Sequence, residues 1–124
     1  MDLYAEIILD HFKYPRNYGV LDHADLEAED FNPLCGDRVK LGMNIDENKK
    51  IAEVKFSGEG CAISKAATSL LTEELVGKTL EEVAAISNEH IYELLGTEIA
   101  PARVKCALLG IGTAKKAILL YQHS

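Results

Sequence analysis

Four residues in this sequence have the types and neighbours for metal or sulfur chemistry: Cys35, Asp37, Cys61 and Cys106. Cys35 and Asp37 flank Gly36, whose conformational freedom permits a tight loop that aims both side chains one way. Cys61 ends the stretch Ser57-Gly58-Glu59-Gly60-Cys61, where a strand-like run turns at its two glycines and helical periodicity begins. A thiol at a helix start meets unpaired N–H groups and the positive end of the macrodipole, which favour its thiolate. Cys106 follows 45 residues later in the first turns of the last helix, with Arg103 and Lys105 beside it. Three thiolates and one carboxylate make a four-coordinate set that zinc accepts. Soft thiolates equally suit an iron–sulfur cluster. An Asp oxygen is a harder and more exchangeable ligand than a fourth thiolate, which suits a cargo meant to leave. No CxxC pair is present, so spacing alone also allows Cys61 and Cys106 to be small buried residues on helix faces.

The elements that must position these residues are legible from periodicity. Residues 2–13 read as an amphipathic helix with Leu3, Ile7, Ile8 and Phe12 at helical spacing, stopped by Tyr14-Pro15-Arg16-Asn17-Tyr18-Gly19. His11 lies in this helix and is expected on the surface or in packing rather than as a ligand. Residues 26–32 are a weaker strand candidate. Val39, Leu41, Met43 and Ile45 alternate with polar residues as a half-buried strand, and Asp46-Glu47-Asn48-Lys49 is a polar hairpin turn. A second clear strand over 50–57 carries Ala52, Val54 and Phe56 on one face. From Cys61 a helix runs to Gly77 on Ile63, Ala66, Ala67, Leu70, Leu71 and Leu75. Thr79 with Glu82 forms a capping box for the next helix, and Ser87 caps a third that ends at Gly96. Pro101 opens a last helix over about 102–122, striped by Val104, Leu108, Ile111 and Ile118. Gly110 and Gly112 interrupt it. Gly110, on the face of Cys106, either leaves room for inorganic atoms or a partner's loop, or permits close helix packing. Strands followed by a block of helices predict one α+β domain spanning 1–124.

Composition limits the function. The net charge is −7, which argues against nucleic acid as a partner. Asp22, Asp25, Glu27, Glu29 and Asp30 cluster as a solvated acidic stretch, whereas no acid follows Glu98 and Arg103, Lys105, Lys115 and Lys116 remain. The opening MDLYAEIILD has acids where a secretion signal needs bases, and no apolar run is long enough to span a membrane. A cytoplasmic location is therefore expected, where thiols stay reduced. Three cysteines would leave one over in a disulfide framework, so metal binding or catalysis is favoured. His23, His90 and His123 show no ligand pattern and are expected on the surface.

The motifs resemble the IscU/NifU-type scaffold proteins of iron–sulfur cluster assembly. The resemblance rests on Asp10-His11-Phe12 with Pro15-Arg16-Asn17, Asn32-Pro33-Leu34-Cys35-Gly36-Asp37, Gly58-Glu59-Gly60-Cys61-Ala62-Ile63-Ser64, Gly77-Lys78 with Leu80, and Pro101-Ala102-Arg103-Val104-Lys105-Cys106. It implies a small three-stranded antiparallel sheet packed with an N-terminal helix and C-terminal helices. It further implies Cys35, Asp37, Cys61 and Cys106 as ligands of Zn2+, Fe2+ or a transient 2Fe–2S cluster. The implied partners are a pyridoxal-phosphate (PLP) cysteine desulfurase that supplies persulfide sulfur, and carriers or apo-proteins that receive the cluster. The implied role is that of a scaffold or sulfur acceptor, not a conventional enzyme. Cys35 in SufU-like proteins and Cys106 in IscU-like ones are the implied persulfide acceptors.

Two stretches depart from the IscU pattern. Lys105 stands where IscU proteins carry a histidine. A protonated lysine has no lone pair to coordinate with, so its expected role is tuning, by lowering the Cys106 thiol pKa or by pairing with Asp37. Ile99-Ala100-Pro101-Ala102-Arg103 replaces the Leu-Pro-Pro-Val-Lys stretch read by a dedicated heat-shock chaperone, so that partner does not carry over. Gly-Glu-Gly-Cys and Arg-Val-Lys-Cys resemble the SufU subgroup, a zinc-dependent sulfur acceptor that activates a SufS-type desulfurase. The 45-residue spacing from Cys61 to Cys106 is IscU-like. A structural zinc interaction domain is the reading from a different class. A cysteine hydrolase is disfavoured, because no histidine is placed by sequence as a base.

Overall fold

The computed structural model describes residues 3–33 and 36–122. Helix α1 spans Leu3–Lys13, followed by strands β1 (Leu26–Asn32), β2 (Asp37–Ile45) and β3 (Ile51–Glu59). Helices α2 (Ala62–Leu75), α3 (Leu80–Ala84), α4 (Asn88–Leu95) and α5 (Val104–Gln122) follow, with a 3-10 turn at Pro101–Arg103 before the last. The three strands form one antiparallel sheet in the order β1-β2-β3. This is the expected α+β architecture, and the weak strand candidate over 26–32 is a full member of it.

The alternation in β2 has its expected cause. Val39, Leu41 and Met43 are buried on one face, while Arg38 is exposed and Lys40 half-exposed on the other. Helix α5 lies against β1 and β2, and α2 against β3. Helix α1 packs on α2, and α4 on both α2 and α5. The core between these layers holds Leu41, Met43, Val54, Phe56, Leu71, Leu75, Ile91 and Ile118, among others. The loop after α1 pairs with the outer edge of β3 through Gly19 N–H to Phe56 O at 2.8 Å and Phe56 N–H to Asn17 O at 2.9 Å.

Both predicted caps form. Thr79 and Glu82 make the reciprocal capping box of α3, and the Ser87 hydroxyl accepts from His90 N–H at α4, which Gly96 closes at φ 68°. Among the described residues no helix is long and apolar enough to cross a membrane.

Several sequence expectations need correction. Strand β3 runs to Glu59, so Gly58 is a strand residue opposite Val39 and not part of a turn. It adopts φ +140°, where a Cβ would collide with the Arg38 carbonyl, so glycine is required by close approach inside the sheet. On α5, Ile111 and Ile118 are buried but Val104 and Leu108 are only half-buried. The packed face combines Leu109, Ile111 and Ile118 with Cys106, Ala107, Gly110, Thr113, Ala114 and Ala117, whose small size lets α5 approach the sheet and α2 closely. On α1, Leu3 and Phe12 are exposed, while Ile8 and His11 face inward. His11 Nδ1 lies 2.7 Å from the buried Ser69 hydroxyl, which also accepts Arg16 N–H at 2.8 Å. His90 is half-buried, with Nε2 2.6 Å from Glu74.

Candidate metal centre

Asp37 opens β2, Cys61 is the N-cap of α2, and Cys106 lies in the first turn of α5. These starting points meet at one end of the molecule. One donor atom from each of the three lies within 4.8 Å of the others. Cys35, two positions before Asp37, lies outside the described residues. Of the four sequence candidates, the three described ones thus converge, which spacing alone had left open.

The centre is mostly sheltered. Asp37 is 2% and Cys106 0% exposed, whereas Cys61 is half-buried. The Asp37 carboxylate is anchored by the backbone of another candidate ligand. Its Oδ1 accepts Cys61 N–H at 3.1 Å, and its Oδ2 lies 3.7 Å from Cys61 Sγ. The carboxylate therefore satisfies an otherwise unpaired amide at the start of α2, where the helix dipole also favours negative charge. No side chain caps that helix end from within. Gly60 makes this possible. A Cβ there would stand 3.3 Å from Asp37 Cγ and Oδ1 and 3.2 Å from Ser64 Oγ, so a side chain would press on the carboxylate.

Sequence reasoning did not identify the amide anchor or the role of Gly60 beside Asp37. The Gly-Cys pair was their only trace. Lys105 is exposed on the outer side of α5.

Two soft sulfur donors and a carboxylate oxygen in one partly enclosed cluster fit zinc, and equally fit the irons of a small iron–sulfur cluster. Gly110 does not serve as room for inorganic atoms. It faces Thr68 of α2, and a Cβ there would lie 3.1 Å from both Thr68 Cβ and Cγ2. Close helix packing explains it.

The family described as the NifU-like N terminal domain matches residues 3–124. The chain is 39% identical over 122 residues to the iron–sulfur cluster assembly scaffold protein IscU of Haemophilus influenzae, covering 96% of this chain and 95% of that one. It is 35% identical over 133 residues to the zinc-dependent sulfurtransferase SufU of Bacillus subtilis, covering 94% and 89%. A crystal structure from Fervidobacterium islandicum, described as a candidate iron–sulfur cluster assembly scaffold protein for the SUF system, superposes with a TM-score of 0.78 at 32% identity. That alignment covers 91% of this chain and 94% of the other.

Proposed function

The chain belongs to the NifU-like N-terminal domain family, and from that premise we propose that it is an iron–sulfur cluster assembly scaffold of the IscU/SufU type. The observation that carries the reading is the convergence of Asp37, Cys61 and Cys106 donor atoms within 4.8 Å. In this proposal Cys35 completes the set, and the four residues hold a 2Fe–2S cargo until its transfer to a carrier or apo-protein. Zinc occupies the same donors when no cluster is present. The work is done in the reducing cytoplasm, where the thiols remain available.

Sulfur arrives from a PLP-dependent cysteine desulfurase as a persulfide. A thiolate of the scaffold attacks the outer sulfur, a new S–S bond forms, the donor's S–S bond breaks, and the desulfurase thiolate leaves. Cys35 and Cys106 are the proposed acceptors, with Lys105 tuning Cys106. The buried position of Cys106 requires the start of α5 to open before it can accept. The role of Asp37 follows from its anchor. A carboxylate already bonded to Cys61 N–H is a ligand with an alternative partner, so it can let go of metal without being left unsatisfied.

A second reading is favoured by the 35% identity to the zinc-dependent SufU relative together with Arg103-Val104-Lys105-Cys106. Here zinc is the resident ion and the protein accepts sulfur and accelerates a SufS-type desulfurase without building a cluster. One experiment separates the two. The protein is purified anaerobically and assayed for zinc and iron, then given ferrous iron, cysteine, a desulfurase and reductant. Growth of a 2Fe–2S visible chromophore, lost in Cys35→Ser, Cys61→Ser and Cys106→Ser, is the expected result. Tight zinc and a faster desulfurase with no chromophore would overturn the scaffold reading in favour of the sulfur acceptor. Zinc with neither effect would leave a structural domain.

A further inference from the structure

Buried threonines on the helices of this protein share one habit. Thr68 Oγ1 donates to Ser64 O and Thr113 Oγ1 to Leu109 O, each at 2.8 Å and each one turn back along its own helix. Ser64 departs from it. The residue is 1% exposed, yet among the described residues its hydroxyl has no hydrogen-bond partner. The carbonyl one turn back belongs to Gly60, which precedes the N-cap Cys61 and lies outside the helix. The ladder of α2 begins instead with Lys65 N–H on Cys61 O at 3.1 Å. Alanine is a better helix former than serine, so helix stability gives no reason for a hydroxyl here. No buried polar side-chain atom among the described residues is sealed off without a partner. The space that Ser64 borders is a pocket of about 10 Å³, lined also by Gly60, with room for about one water.

Gly60 also joins Ser64 to the candidate centre. The point where a Gly60 Cβ would stand is 3.2 Å from Ser64 Oγ and 3.3 Å from Asp37 Oδ1. Both separations are close to hydrogen-bond length, so one water beside the bare glycine can touch both oxygens. Oδ1 is the oxygen that accepts Cys61 N–H at 3.1 Å, whereas Oδ2 lies 3.7 Å from Cys61 Sγ. The carboxylate is therefore two-sided. One oxygen is turned to the start of α2 and Ser64, the other to the thiol.

We propose that Ser64 is a positioning residue of this centre: its hydroxyl, through one water beside Gly60, is a second donor to Asp37 Oδ1, and Asp37 binds metal through Oδ2 alone. The assignment rests on the reading of Asp37, Cys61 and Cys106 as metal ligands. A carboxylate oxygen has two lone pairs. Cys61 N–H and the water take those of Oδ1, which leaves the metal the oxygen beside the sulfur and keeps the carboxylate from chelating with both. Groups that hold a ligand from behind set its orientation and its strength. Ser64 lies three residues after Cys61, in the first turn of α2, so one helix end carries a ligand and both supports of another.

The test uses the full chain, anaerobic and stripped of metal, with Zn2+ and Co2+ as probes. Zinc affinity is read by competition with a chelator. The cobalt centre is read by its visible ligand-field bands, which report coordination number. Ser64→Ala is expected to bind zinc about tenfold more weakly and to shift the cobalt bands, because Oδ1 is then free to coordinate. Its metal-free unfolding midpoint in urea stays at or above the parent's, since alanine is the better helix former. Damage to the fold cannot produce that combination. On an Asp37→Ala background the same substitution leaves zinc affinity and cobalt bands where Asp37→Ala put them. Parental affinity and parental bands in Ser64→Ala would overturn the proposal, and so would an equal loss on the two backgrounds. A parent protein that binds neither metal sinks the metal-centre reading and the role of Ser64 together. A parent that binds both, with Ser64→Ala indistinguishable from it, sinks the role of Ser64 alone.

Discussion

The closest contact between α2 and α5 involving a glycine is also the one that fixes the spacing of the candidate centre, so Gly110→Ala is the sharpest perturbation. A methyl group at Gly110 would sit 3.1 Å from Thr68 Cβ and Cγ2 and closer still to Thr68 Oγ1. Thr68 is 1% exposed, and its hydroxyl donates to Ser64 O at 2.8 Å, so it has no free direction in which to rotate. Helix propensity favours the alanine by about 1 kcal/mol. Overpacking a dense interface costs about 1–3 kcal/mol, and losing the Thr68 hydrogen bond adds about 1 kcal/mol. The cost wins, for a net destabilisation of about 1–3 kcal/mol. With a urea m-value of about 1–3 kcal/mol/M, the unfolding midpoint falls by about 1 M.

The same change acts on the metal centre. Cys61 begins α2 and Cys106 begins α5, so helices pushed apart separate the two thiols. Metal binding needs its donors held at specific distances, so zinc affinity measured against a chelator is expected to fall along with stability. Thr68→Ala combined with Gly110→Ala removes Oγ1 and Cγ2, and the double variant is less destabilised than the sum of its parts. The measurement is urea unfolding followed by circular dichroism, with zinc competition in parallel. A Gly110→Ala protein as stable as its parent, or more so, would refute the packing account and return Gly110 to the list of residues that leave room for something else.

Two further predictions rest on burial. Desolvation, and then the nearby Arg16 charge, push the His11 pKa below its ordinary 6.5, against the opposing pull of Glu73 and Asp10. The unfolded chain therefore binds more protons than the folded one once pH falls through about 6.5, so His11 makes the protein progressively less stable toward pH 5. That slope is reduced in His11→Gln, and a parent protein whose unfolding midpoint is flat from pH 7.5 to 5 would contradict it. For the thiols, Cys61 is half-buried and Cys106 fully buried, so in metal-free protein iodoacetamide labels Cys61 faster by mass spectrometry. If Cys106 becomes reactive only after a local opening of about 1.4 kcal/mol or more, the ratio is about tenfold or greater. Equal rates would place Cys106 in a far more open start of α5 than the structure has.

Much of the architecture was legible because it depends on local chemistry. The alternation through Val39, Leu41 and Met43, the Thr79–Glu82 box, and the Ser87 and Gly96 caps each need only near neighbours, and all form where the sequence puts them. What escaped depends on contacts distant in sequence. Gly58 reads as a turn residue until β2 is known to lie beside it, with Val39 opposite and the Arg38 carbonyl where a Cβ would stand. The α5 stripe was drawn through large residues, of which Ile111 and Ile118 are buried, but Val104 and Leu108 are not, and small residues fill much of the packed face where the sheet and α2 come close. His11 reads as an ordinary helix residue, and only Ser69, 58 positions away, makes it a buried one. The candidate donors were legible by residue type, but their convergence was not, since no short-spaced cysteine pair announces it.

The candidate centre is assembled from two separate parts of the fold. Asp37 and Cys61 are coupled through Cys61 N–H, so β2 and the start of α2 offer their donors as one unit. Cys106 comes from α5, whose distance from α2 is set one turn along by Gly110 against Thr68. A four-cysteine site on a single rigid loop would bind tightly and exchange slowly. Here the described donors divide between two parts of the fold, and the Asp37 carboxylate has an alternative partner already in place. A small movement of the α5 start relative to α2 would displace Cys106 and leave Asp37 and Cys61 joined through the Cys61 amide.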